Sequence, residues 1–326
     1  MPQDIKQLTA KVLRGDRLAL AKAITVIEDD YESAARLLDA LTPPGHVFVL
    51  GVTGPPGTGK STLVDRLIEF YRKRGLKVGV IAVDPSSPIT GGALLGDRVR
   101  MAAHADDSGV YIRSMASRGW SGGLSRATSQ AVQLMDAAGY DAVLIETVGI
   151  GQADIEVVSV AHAVLVVLMP GMGDDVQMSK AGLMEVGDIY VVNKGDLDGA
   201  DLMVAGLLSF VRTLKSRSPP VIKVSALSGD GVTALAEAVE GIRSKLGQLS
   251  GDTKLRATKG MIMEMAKGEV MEGFLERASP VAGKLAERVL TGELTVLAAA
   301  GKLAKGSTRR SSRPRKSHFA NKPRHP

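Results

Sequence analysis

The chain has 326 residues, 44% of them hydrophobic, enough for one large α/β domain with additions or for two domains. It has no cysteine, which excludes disulfides, thiolate zinc sites and a cysteine nucleophile and suits a reducing cytoplasm. The net charge of +6 belongs to residues 306–326, where seven Lys and Arg stand without an acid; setting those seven aside leaves 34 basic against 35 acidic residues, a body close to neutral.

Residues 1–45 read as a helical extension. Leu20, Ile24 and Ile27 fall at helical spacing, as do Ala34, Leu38 and Leu41. Gly15-Asp16 breaks the first helix, and Pro43-Pro44 stops the region. The first thirty residues carry Asp4, Asp16, Glu28, Asp29 and Asp30, unlike a signal or transit peptide. No apolar run is long enough to span a bilayer, so the expectation is a cytoplasmic protein with no membrane segment.

From 46 to 250 apolar strands alternate with helices. Strands are expected at 46–51, 78–83, 109–113, 141–146, 163–169, 188–193 and 220–224. Helices are expected at 60–74, 93–104, 123–138, 176–186, 199–214 and 231–246. Near-continuous apolar strands of this kind predict an α/β fold of the P-loop NTPase type. Its sheet is mostly parallel and doubly wound, with helical N- and C-terminal extensions. Ligands of such sheets sit at the carboxyl ends of the strands. Residues 251–305 read as a helical arm in which Met261, Met263, Met265 and Met271 cluster near Phe274 and Leu275, either as a partner contact or as ordinary core. The basic Ser/Pro/Arg tail, 306–326, is too polar to fold. Its only aromatic residue is Phe319, so nucleic-acid recognition by stacking is not expected.

The run Gly54-Pro55-Pro56-Gly57-Thr58-Gly59-Lys60-Ser61-Thr62 fits G-x-x-x-x-G-K-[ST] and lies between an expected strand and an expected helix. Glycines let successive N–H groups curl toward phosphate oxygens, and the helix N-terminus adds to that field. Lys60 can then reach the β- and γ-phosphates, and the Ser61 hydroxyl can bind Mg²⁺. Asn193-Lys194-Gly195-Asp196 follows an apolar strand and matches N-K-x-D. The Asp196 carboxylate can accept from N1–H and the 2-amine of guanine, whereas adenine would leave it unpaired. Asn193 can bond around the base and loop, and the Lys194 stem can cover the base face. Ser225-Ala226-Leu227 follows the next strand and resembles the S-A-x loop whose backbone N–H reaches guanine O6. In this order the three motifs select GTP and GDP over adenine nucleotides.

Glu146 ends the buried strand Asp141–Glu146 and opens Glu146-Thr147-Val148-Gly149, where small GTPases have D-x-x-G. An acid there faces Mg²⁺ directly or through water. Asp84 and Asp97 are further candidates, read alternatively as a turn acid before Pro85 and as a helix-surface charge. Mg²⁺ prefers few carboxylates, so three acids act mainly through its waters. Gln152 either orients the attacking water or is plain surface. Lys180, after Gly173-Asp174-Asp175, either answers the γ-phosphate or starts a solvated helix.

On these residues the chain resembles the methylmalonyl-CoA mutase-associated G proteins, the MeaB/ArgK type of the SIMIBI class of P-loop GTPases. The likeness also includes Val83-Asp84-Pro85-Ser86-Ser87, Leu95-Gly96-Asp97-Arg98 and Gly149-Ile150-Gly151-Gln152. It implies that Lys60, Ser61, Asp84, Asp97 and Glu146 handle phosphates and Mg²⁺, and that Gln152 and the 174–180 segment lie in switches. It further implies a homodimer built on the C-terminal arm, and weak GTP hydrolysis stimulated by an adenosylcobalamin-dependent acyl-CoA mutase that the protein assembles and protects. The basic tail departs from the family pattern. Two other readings stand beside this one. A metal-insertion GTPase of hydrogenase or urease maturation would need Cys/His clusters, and the five histidines are scattered. An ATP-dependent kinase or transport ATPase is argued against by Asp196.

Overall fold

The computed structural model describes residues 3–41, 45–84, 104, 106–116, 126–147, 149, 157, 160–171, 181–214, 217–248 and 252–308. Packing divides the chain into two units, 1–264 and 265–326.

The first unit holds a sheet of seven parallel strands: β1 (Phe48–Thr53), β2 (Val78–Asp84), β3 (Val110–Ala116), β4 (Ala142–Thr147), β5 (Ala163–Leu168), β6 (Ile189–Val192) and β7 (Val221–Lys223), in the order β3-β2-β4-β1-β5-β6-β7. Side chains alternate across the pleat, so each strand feeds two cores. Phe48, Leu50 and Val52 pack with Leu63, Leu67 and Tyr71 of α4 (Lys60–Lys73) and Leu235 and Val239 of α8 (Val232–Gln248). Val49, Val143 and Val166 face the other side. There they meet Leu134 of α5 (Arg126–Ala137) and Leu207 of α7 (Ala200–Thr213). Both faces are covered, which is why β1, β4, β5 and β6 read as continuous apolar runs. Outward from β1 lie β5, β6 and β7 on one side and β4, β2 and β3 on the other, so connections pass to opposite sides of β1 and place a ligand crevice at its carboxyl end.

Three helices precede the sheet: α1 (Gln3–Leu13), α2 (Arg17–Asp29) and α3 (Tyr31–Asp39). The break at Asp16 is joined by a second, at Asp30, that helical spacing alone did not reveal. Each aspartate caps the helix after it: the Ala19 N–H donates to Asp16 Oδ1 at 2.8 Å and the Ser33 N–H to Asp30 Oδ1 at 3.1 Å. Leu20, Ile24, Ile27 and Leu37 are buried in the core shared with α5. The chain then turns into β1 under the control of one carboxylate. Asp136 of α5 accepts the N–H groups of Gly45 (2.8 Å), His46 (3.2 Å) and Val47 (3.1 Å). Those three amides are therefore not on the sheet ladder, and β1 begins at Phe48 rather than at the expected 46. Helix 93–104 falls outside the described residues apart from His104, and of 176–186 only α6 (Ala181–Val186) is described.

Helix α9 (Asp252–Leu290) runs on into the second unit, where α10 (Val296–Thr308) follows. Among the described residues no helix is long and apolar enough to cross a membrane.

Candidate nucleotide site

The carboxyl end of β1 passes directly into the loop 54–59, and Gly59 caps α4 with φ +85°. A Cβ at Gly59 would lie 2.4 Å from Asn193 Nδ2, so only glycine fits both the left-handed turn and the neighbour. Lys60 is buried, and its Nζ donates to the carbonyls of Gly54 (2.9 Å) and Pro55 (3.0 Å). Thr58 Oγ1 donates to the Pro55 carbonyl at 2.9 Å. The ammonium is thus held inside its own loop, beside the amides of the α4 N-terminus, where a polyphosphate would meet both.

Strand β4 pairs with β1 in the register Val52↔Glu146, which brings Glu146 beside the start of α4. The Ser61 hydroxyl donates to Glu146 Oε1 at 2.6 Å. Among the described residues no three His, Asp or Glu side chains cluster as a metal site. A hydroxyl and one carboxylate nevertheless fit Mg²⁺, a hard cation that takes oxygen ligands and draws the rest from water and phosphate. Gly149 has φ +88°, and a Cβ there would sit 2.1 Å from the Gly54 carbonyl oxygen. Gly149 is therefore pressed onto the phosphate loop. Asp84 ends β2, two strands from β1, at the same edge of the sheet. Asp97, Gln152 and Lys180 lie outside the described residues.

The base-side motifs converge through Asn193. It is 2% exposed, and its side chain joins two loops: Nδ2 donates to the Thr58 carbonyl at 2.7 Å, and the Ala226 N–H donates to Oδ1 at 3.0 Å. The sequence suggested that Asn193 bonds around the base and loop; in the structure its amide clamps protein to protein. Lys194 has φ +55°, the only positive φ outside glycine among the described residues, and this turn carries the chain from β6 to Asp196. Asp196 is exposed, and its carboxylate is held below the usual carboxylate range by a side-chain hydrogen bond from Ser225, with smaller help from its own backbone N–H and the Lys194 charge. Ser225 bridges to Asp230 and closes the Ser225–Leu227 loop, from which Leu227 projects 84% exposed. The phosphate loop, Asp196 and the 225–227 loop are thus one connected constellation. One contributor carries no motif signal. Arg66, on α4, donates to the carbonyls of Ala226 and Leu227, and only the packed structure shows this.

The family described as methylmalonyl Co-A mutase-associated GTPase MeaB matches residues 20–279. The chain belongs to this family. As a MeaB-family member it is a GTPase, and its relatives are named accordingly. A putative GTPase of Pyrococcus horikoshii is 49% identical over 245 residues, 73% of this chain and 77% of the relative. GTPase ArgK of Escherichia coli is 39% identical over 248 residues, 72% and 75% of the two chains. The mouse methylmalonic aciduria type A homolog, a mitochondrial protein by name, is 35% identical over 71% of this chain and 61% of its own length. Among solved structures, the LAO/AO transport system kinase superposes with a TM-score of 0.69 at 27% identity, covering 94% of this chain and 98% of that one. The doubly wound P-loop architecture expected from the strand pattern is the one observed.

Proposed function

We propose that this MeaB-family GTPase is a GTP-driven switch and chaperone that assembles, protects or reactivates an adenosylcobalamin-dependent acyl-CoA mutase of the methylmalonyl-CoA type. The observation that carries the nucleotide half is the Asn193 clamp, which ties the phosphate loop to the loop beside Asp196. In this reading Gly54–Thr62 grips the triphosphate, with Lys60 on the β- and γ-oxygens. Asp196 accepts from guanine N1–H and the 2-amine, and Lys194 and Leu227 lie over the base. Ser61 and Glu146 would hold Mg²⁺, with Asp84 and Asp97 as its further acids; when bound, the ion would supply positive charge against the β- and γ-phosphates. Gln152 orients the attacking water and Lys180 answers the γ-phosphate. The mutase half rests on the family description and on the mouse relative's name.

A homodimer through α9 belongs to the same proposal. Ile262, Met263, Val270, Met271 and Leu275 are 43–72% exposed along that helix, an apolar set that water alone does not favour. The test is a titration of purified methylmalonyl-CoA mutase into the GTPase. GTP turnover should rise, and the mutase should be retained on the immobilised GTPase differently with GDP and with a non-hydrolysable GTP analogue. Neither retention nor stimulation by any acyl-CoA mutase would sink the partner assignment. Sedimentation of the free protein as a monomer at micromolar concentration would sink the dimer.

A further inference from the structure

Arg66 lies on α4, six residues after Lys60, and its guanidinium is bonded along its whole edge. Nε donates to the Ala226 carbonyl at 2.9 Å and Nη2 to the Leu227 carbonyl at 3.0 Å. Nη1 is held by the Glu69 carboxylate at 3.2 and 3.3 Å. A guanidinium is a rigid planar fork. Two successive carbonyls on one fork fix two successive peptide planes, because each peptide is itself planar and trans. In a trans peptide the N–H points opposite the preceding C=O. Anchoring the Ala226 carbonyl therefore aims the Leu227 N–H away from Arg66. No backbone hydrogen bond among the described residues uses that N–H, while the Ala226 N–H is already given to Asn193. The helix that begins with Lys60 and Ser61 thus also sets the orientation of the amides beside the base.

We propose that Arg66 is the positioning residue for recognition of guanine O6. It holds the 226–227 peptides so that a backbone N–H of this loop meets that oxygen, and it couples this geometry to the phosphate-gripping helix. The inference rests on the guanine reading above. It assigns O6 to the Arg66-held loop and leaves N1–H and the 2-amine to Asp196, so the two can be separated by nucleotide analogues. IDP lacks only the 2-amine. 6-Thio-GDP keeps N1–H and the 2-amine and replaces O6 with sulfur, a weak acceptor.

Affinities of GDP, IDP and 6-thio-GDP are measured by calorimetry on the full chain and on Arg66→Met and Arg66→Lys. The native chain should prefer GDP to 6-thio-GDP by about tenfold, the worth of one good hydrogen bond. Arg66→Met should narrow that ratio to within about twofold and leave the GDP/IDP ratio unchanged. Arg66→Lys, which reaches one carbonyl, should fall between. A GDP/6-thio-GDP ratio that stays native in Arg66→Met, or a variant that weakens all three nucleotides equally, would reduce Arg66 to general support and overturn the proposal. If circular dichroism shows Arg66→Met unfolded, Arg66→Lys decides: a native ratio there overturns it. A native chain indifferent to sulfur at position 6 also overturns it. A native chain that binds IDP as tightly as GDP, yet prefers GDP to 6-thio-GDP and loses that preference in Arg66→Met, sinks the Asp196 assignment and leaves Arg66 standing.

Discussion

Replacing Asn193 by alanine separates two roles that the motif alone confounds. If the side chain only touches the base, the nucleotide-free protein should not notice its loss. The structure gives a different expectation. Asn193 satisfies the Thr58 carbonyl and the Ala226 N–H, and both residues are buried, at 0% and 2% exposure. Orphaning a buried polar group costs about 1–3 kcal/mol, so two such groups bracket the loss at about 2–6 kcal/mol. Gly59, half-buried beside Thr58, lets water recover part of that at the carbonyl, which brings the expectation to about 3 kcal/mol. Urea unfolding of nucleotide-free protein, followed by circular dichroism, should report that loss. Hydrogen exchange over 221–230 should show faster exchange of the Ala226 amide. Asn193→Asp keeps the acceptor for Ala226 but sets a carboxylate oxygen against the Thr58 carbonyl, so it should recover nothing on that side. A nucleotide-free Asn193→Ala protein within about 0.5 kcal/mol of native, with unchanged exchange at 226, would refute the clamp.

Other substitutions test neighbouring joints. Gly149→Ala places a Cβ 2.1 Å from the Gly54 carbonyl oxygen at a φ of +88°, so the phosphate loop must shift; GTP turnover should fall at least tenfold, and retention of native turnover would argue against the contact. Asp136→Ala removes the acceptor for three amides ahead of β1, of which that of Val47 is buried. It should cost about 2–4 kcal/mol and lower the melting temperature by roughly 5–10 °C, with Asp136→Asn in between. Asp196 has its carboxyl held below its ordinary value of 3.8, so it stays charged as pH falls through 5, and only below the ordinary range does protonation remove the acceptor. The GDP/IDP affinity ratio should therefore be flat from pH 8 to 5; a decline centred near pH 6 would mean another group does the reading. Glu146→Gln keeps an acceptor for Ser61 but loses the charge, so the Mg²⁺ concentration for half-maximal turnover should rise about tenfold, and an unchanged requirement would remove Glu146 from the metal site.

The candidate nucleotide site is legible in the sequence wherever its residues are contiguous. Gly59-Lys60-Ser61 must be contiguous because one turn of backbone wraps one phosphate group. Asp196 is read from the four contiguous residues of N-K-x-D alone, and the structure carries that motif through a left-handed turn at Lys194. Contacts across long sequence separations left no trace. Arg66 and Ala226 are 160 residues apart and Asn193 and Thr58 are 135 apart; a surface arginine on an amphipathic helix looks the same whether it meets a loop or water. The second helix break, at Asp30, was missed because an aspartate reads as a cap only once the next turn folds onto it.

Alternation of apolar strands with helices was enough to determine a parallel, doubly covered sheet, because burial on both faces leaves no other pattern that satisfies the backbone. Its guanine-type motif and phosphate loop were likewise written in contiguous residues. Strand order, the seating of Glu146 against Ser61, and the fastening of the base loop to α4 were decided only by the folded chain. Each joins segments whose separation along the sequence is set by what lies between them, and only three-dimensional packing closes those distances to hydrogen-bond length.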